Sequence, residues 1–241
     1  PTFEELYGEG QPVVGEYTGV LNNNGELIEL QDAVGRVIQS FTYRDGWIEI
    51  TDGVGFSLTA LAPGSQDVNA LDAKAGWRAS GVSGGTPGYD DSDQAMMPGA
   101  VTINEVLNAR PPESDWIELK NNTNSPVEVG GWYLSDNAGE LKKYRIADGT
   151  VIEVDGYLVL RQDLHFGNAD DPGSRFTFGL DVANGETLYL HGANLTGLNG
   201  YADEVDFGAY YPDVSFGRVQ GDNMVRLQST TPGSPNALPT E

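Results

Sequence analysis

Acids, two histidines and one serine in a glycine-rich loop are the residues of this chain whose types and spacing could do chemistry. The acids cluster as Asp90, Asp91 and Asp93, as Asp170 and Asp171, and as Asp203, Glu204 and Asp206. Calcium takes roughly 6–8 oxygens from such groups, so these clusters are the candidate metal ligands. None has the spacing of a helix-loop-helix calcium site. With 36 acidic residues in the chain, clusters also arise by chance, and solvated surface charge is their ordinary role. Gly81-Val82-Ser83-Gly84-Gly85 fits the Gly-x-Ser-x-Gly pattern of a nucleophile elbow. An elbow needs a helix after its serine; Thr86-Pro87-Gly88 forbids one, so the segment reads as a glycine-rich loop. His165 has Asp163 nearby but no partner nucleophile in a recognisable context. His191 follows a strand-like run and precedes a glycine, which reads as a turn position. Trp47 and Tyr210-Tyr211-Pro212 have the chemistry to stack on sugar rings, but such aromatics serve equally as core and sheet-edge residues. No catalytic residue is assigned.

The elements that must carry these residues are set by composition and pattern. Thirteen basic against 36 acidic side chains give a net charge of −23. Such a surface repels phosphate backbones and anionic membranes, so nucleic acid is excluded as a partner. The chain has no cysteine, which removes disulfides, thiol nucleophiles and thiolate metal sites. No apolar run approaches the roughly 18 residues of a membrane span, so no membrane insertion is expected. Pro1 is not a translation start, and the chain reads as a segment of a longer protein.

Short runs of alternating or apolar character recur: 27–30, 37–43, 102–107, 116–119, 157–160, 187–190 and 205–207. Their period is that of half-buried strands. Asn24-Gly25, Asp45-Gly46, Asp52-Gly53, Asp148-Gly149, Asp155-Gly156 and Asn184-Gly185 supply turn chemistry between them. The only helical candidate is the single turn Phe3–Tyr7. The polar, acidic stretch ending at Pro98-Gly99 reads as a linker, 91–98, between a unit at 1–90 and one at 99–237.

A repeat underlies this division. Leu21 to Leu30 is similar to Leu180 to Leu190, each built around Asn-Gly-Glu. Both are followed by a strand with a central phenylalanine, Phe41 or Phe207. Next comes a small-residue-flanked Phe56 or Phe216, and both close on Thr-Pro-Gly, at 86–88 and 231–233. The second unit has about 75 further residues ahead of this pattern, so the first reads as a C-terminal half copy.

The second unit resembles the lamin tail domain of bacterial secreted proteins. The matching residues are Ile103-Asn104-Glu105-Val106, Asp115-Trp116-Ile117-Glu118-Leu119-Lys120-Asn121, Gly130-Gly131-Trp132-Tyr133-Leu134-Ser135-Asp136, the strand around Val159 and Asn184-Gly185-Glu186. The resemblance implies an all-β, immunoglobulin-like β-sandwich preceded by a partial unit of the same type, and no enzymatic activity. The function expected from it is a non-catalytic structural or interaction module of a larger secreted or cell-surface protein. The alternative is a carbohydrate- or calcium-binding accessory module of an extracellular enzyme. Expected partners are other domains of the parent protein or another protein, with glycan as the alternative. No cofactor is expected beyond the calcium option. In a bacterial setting the sequons at Asn121 and Asn194 are expected to be unmodified. Independently of the family, Glu105 and Glu118 lie among apolar strand residues, where a carboxylate must face water or accept hydrogen bonds.

Overall fold

Short strands and glycine turns dominate the protein as they do its sequence. The computed structural model describes residues 2–13, 15–65, 67, 69–181, 183–219 and 223–237. It divides into two compact units, 1–96 with 199–201, and 97–198 with 202–241.

The first unit opens with α1 (Phe3–Tyr7), a single helical turn. Its start is a capping box: Glu5 N–H donates to Thr2 Oγ1 at 3.2 Å and Thr2 N–H to Glu5 Oε2 at 2.7 Å. Strands β1 (Leu27–Gln31) and β2 (Val37–Thr42) form one antiparallel pair. Strands β3 (Leu58–Ala60) and β4 (Trp77–Ala79) form another. Asp45-Gly46, read as a hairpin turn, instead opens a short 3₁₀ turn, Asp45–Trp47. The core is small. Trp77 anchors it, packing against Phe41 and Trp47 at centroid distances of 5.3 and 6.4 Å, with its indole N–H donated to Leu71 O at 2.9 Å. Ile50, Phe56 and Ala79 complete the buried apolar set among the described residues of this unit.

The second unit is larger and built from two antiparallel sheets. Its strands are β5 (Val101–Leu107), β6 (Trp116–Asn121), β7 (Val127–Glu128), β8 (Tyr133–Ser135), β9 (Tyr144–Arg145), β10 (Val151–Ile152), β11 (Tyr157–Arg161), β12 (Glu186–Asn194), β13 (Gly197–Phe207), β14 (Ser215–Arg218) and β15 (Met224–Arg226). One sheet has the order β11-β6-β5-β14-β15, the other β13-β12-β8-β9, and β10 and β7 form a separate ribbon. This is an immunoglobulin-like β-sandwich. Ile103, Ile117, Leu119, Leu134, Leu188 and Leu190 are fully buried, the inward set expected of two facing sheets. Trp116 and Trp132 are buried as well.

One irregularity decides what the outer face of the larger sheet presents. Between β5 and β6 the register runs Ile103↔Leu119 and then Glu105↔Glu118, with Asn104 as the extra residue. A bulge of this kind reverses the facing of every later side chain on its strand. Ile103 and Val106 therefore both join the core side with Leu119 and Ile117, while Glu105 and Glu118 share the opposite side.

Candidate functional site

Two carboxylates side by side in a strand pair are the constellation on which acid-base chemistry is built. Glu105 and Glu118 are such a pair, and both are fully buried. Their oxygens are occupied by the chain itself. Glu105 accepts the Thr231 N–H at 3.1 Å from each oxygen and the Thr231 hydroxyl at 2.6 Å. Glu118 accepts the Gly233 N–H at 2.5 Å and the Asn104 side-chain amide at 2.7 Å. Asn236 extends the seam, donating to Arg218 O at 2.6 Å and Asn104 O at 3.1 Å and accepting from the Asn104 amide at 3.0 Å. Burial pushes the Glu118 carboxyl above its ordinary range against the pull of the Gly233 and Asn104 donors, and Glu105 adds to the rise. The pair is a clamp on the segment Thr231–Asn236. Thr-Pro-Gly was legible as a repeat marker, yet its role as the donor to these two glutamates was not.

The predicted metal candidates are scattered. Asp91 is buried in the first unit, paired with the Arg78 guanidinium and accepting the Gly81 N–H at 2.7 Å. Arg78 holds its carboxyl down at about 2, against the opposing effect of burial. Asp90 accepts the Ser92 N–H at 2.9 Å in a local turn, and Asp93 is exposed. Asp171 accepts the Gly173 N–H at 2.7 Å, while Asp170 donates its own N–H to Asn168 Oδ1 at 3.0 Å. Asp203 joins the two sheets of the second unit, accepting the Ile103 N–H at 2.8 Å and Arg218 Nη2 at 3.0 Å on each oxygen. Asp206 accepts the Thr187 hydroxyl. Among the described residues, no three His, Asp or Glu side chains gather to hold a metal ion.

The remaining candidates resolve individually. Ser83 lies in a loop, 3.5 Å from Gly55 O, with turn rather than helix after it. His165 accepts the Arg161 N–H at 2.9 Å through Nδ1 and is a local loop tie. His191 is not a turn residue: it lies inside β12 and is buried, and the glycine after it sits in a bulge between His191 and Ala193. Tyr210 and Tyr211 meet edge-on at 71°, so they form no flat sugar platform; Tyr210 also carries Arg226 on its face. Asn121 is buried, its amide donating to Ser125 O at 2.8 Å and Ile152 O at 3.0 Å, which seals that sequon from modification in the folded state.

Two features were not anticipated. Asp115 is a buried hub that accepts the Ala109 N–H at 2.9 Å, the Leu180 N–H at 3.1 Å and the Asn108 amide at 3.2 Å. A polar groove of about 310 Å³ in the second unit is lined by Thr102, Asn104, Lys120, Asn122 and Arg218, among others. It offers cations, amides and a hydroxyl but, among the described residues, no acid.

The sheet order, the bulge and the glutamate clamp can now be set beside what known families share. Residues 94–209 match the family model of the lamin tail domain. The lamin tail domain is a family of non-catalytic, immunoglobulin-like modules. The match covers β5 to β13, and strands β14 and β15 extend the same sheet beyond it. Comparisons with curated proteins and with solved structures return no match.

Proposed function

We propose that the chain is a structural or interaction module of a larger secreted or surface protein, with no reaction of its own. The observation that carries this reading is the fate of its best catalytic pair. Glu105 and Glu118 are closed off from solvent and bonded to Thr231 and Gly233, so neither has a free oxygen path to a substrate. The partners are other domains of the same protein or a separate protein, engaged through surface and not through a pocket. The net charge of −23 favours solubility and selects against anionic partners.

Turnover assays of the whole chain on ester, glycoside and phosphoester substrates test this. No turnover is expected. Hydrolysis abolished by Ser83→Ala or Glu118→Gln overturns the non-catalytic reading. Calorimetric titration with calcium and a glycan array test the accessory-module alternative. Saturable calcium binding, or glycan binding lost in Tyr211→Ala, replaces the proposal with that alternative. Localisation is checked by fractionating source cells with an antibody to the chain, where an extracellular or surface signal is expected and a cytoplasmic one refutes it.

A further inference from the structure

The two units enter a strand pair through related Asn-Gly-Glu turns, in which the glutamate reaches back four residues in the first and five in the second. In the first, Glu26 Oε1 accepts the Asn22 N–H at 2.9 Å; in the second, Glu186 Oε1 accepts the Asp181 N–H at 2.9 Å. The glycine before each glutamate has positive φ, 87° at Gly25 and 73° at Gly185. A side chain on Gly25 would lie 2.2 Å from Tyr43 O, and one on Gly185 would lie 2.6 Å from Phe207 O. This places Tyr43, not Phe41, at the position of Phe207. The pairing agrees: Ile28↔Phe41 takes the place of Leu188↔Val205, and Leu30↔Gln39 that of Leu190↔Asp203.

Beyond these related turns the two units diverge. In the second, β12 has a neighbour on each side, β13 and β8, the latter in the register Tyr189↔Ser135, Leu190↔Leu134 and His191↔Tyr133. In the first, among the described residues, β1 pairs with β2 alone. Leu190 is 0% exposed, whereas its counterpart Leu30 is 57% exposed. Leu27, Val37 and Ile38 on the same ribbon are also exposed. Among the described residues, the segment ahead of the Asn-Gly-Glu turn in this unit contains α1 and no strand. An open, apolar strand edge is a template for pairing with another chain.

We propose that the outer edge of β1 is a strand-acceptor site, which takes one extended, uncharged segment of the Gly-Trp-Tyr-Leu-Ser type from a lamin-tail half-domain. The inference rests on the interaction-module reading and names its surface and partner. The geometry of β8 on β12 sets the register: a leucine-like residue opposite Leu30 and a small neutral one opposite Glu29. Main-chain hydrogen bonds supply the affinity and the residue opposite Leu30 the specificity, as in other cases of strand addition. A second copy of β1 is the wrong occupant on charge. Antiparallel pairing of Leu27–Gln31 with itself about its centre sets Glu29 against Glu29, and like charges directly opposite are destabilising. The segment Gly130–Ser135 carries no charge.

The test is amide hydrogen exchange of the whole chain with a synthetic peptide of residues 129–137 at millimolar concentration. Exchange over Leu27–Gln31 is expected to slow severalfold, with β12 unchanged. The same peptide carrying Leu134→Pro is expected to have no effect, because proline removes a ladder donor. A chain carrying Leu30→Lys, a change at an exposed side chain, is expected not to respond. No slowing, equal slowing by the proline peptide, or protection confined to β12 overturns the proposal. So does a dimer in sedimentation velocity that Leu30→Lys abolishes, which would make a second copy the occupant. Each of these leaves the non-catalytic reading standing, since that reading fails only on turnover.

Discussion

Asp203 is the side chain whose removal tests the sandwich most directly. It stands on β13 in one sheet and binds β5 and β14 in the other. Its partners are the Ile103 N–H at 2.8 Å and Arg218 Nη2 at 3.0 Å. The ion pair has side-chain exposures of 9% for Arg218 and 8% for Asp203. Asp203→Ala removes the carboxylate but leaves the guanidinium buried and a strand N–H without this acceptor. Breaking a buried pair on one side costs about 3–5 kcal/mol. For a unit of this size that lowers the melting temperature by roughly 6–20 °C. The double variant Asp203→Leu, Arg218→Met removes both charges, and it is expected to regain most of the loss because no uncompensated charge remains. The assay is differential scanning calorimetry of the whole chain. Amide exchange at β5 assigns the transition that moves. Asp203→Ala melting with wild-type values, or a double variant worse than the single, refutes the account of Asp203 as the tie between the sheets.

The same geometry carries three more expectations. Trp132→Ala opens a cavity at a fully enclosed site and is expected to cost about 3–5 kcal/mol in urea unfolding of the second unit; a wild-type midpoint would show that this tryptophan lies outside the core. Glu186 is pushed up to about 7 by burial first, opposed by the Asp181 N–H and reinforced by Asp136, Asp181 and Asp115. A raised carboxyl makes the folded state the better proton binder, so its contribution is full below the unfolded value and is lost as pH rises through about 7. The second unit is therefore expected to gain stability between pH 7 and 4.5, and Glu186→Gln to flatten that slope in pH-dependent melts. Asp91 has the opposite sign: held at about 2 by Arg78, it contributes above its unfolded value, and that contribution is lost as pH falls through about 2. Asp91→Asn is expected to lower the first unit's melting temperature at neutral pH and to leave it less sensitive to acid; an unchanged melt would show the Arg78 pair to be dispensable.

Strands with clear alternation or long apolar runs were legible from the residues: β1, β2, β5, β6, β11, the first half of β12 and the last three residues of β13 lie where the pattern put them. The two-residue strands β7, β9 and β10 were not, because two residues carry no period. His191 was misread because a glycine after a strand run signals a turn or a bulge with the same letter, and here it is a bulge. Glu105 and Glu118 were read as facing water or accepting hydrogen bonds, and the structure takes the second course. The donors lay 126 and 115 residues away, a separation no local pattern encodes. The buried role of Asp91 was hidden for a simpler reason: an acid in a polar, acidic stretch looks like solvated charge until Arg78 is seen beside it.

The glutamate clamp also sets a clock. β5 leaves the ribosome 126 residues before Thr231, the residue that satisfies Glu105. At synthesis rates of about 5–20 residues per second, that interval is roughly 6–25 s. Throughout it, Glu105 and Glu118 are carboxylates in strands that cannot desolvate them without their donors. The larger sheet can form its ladders in that time but cannot close its outer face. The module is thus finished from its end, and a chain stopped just before Thr231 is expected to hold its strands while exchanging amides freely across β5 and β6. Such contacts of high sequence separation slow folding, so maturation of this unit is limited by the arrival of its last segment and not by the formation of its first strands.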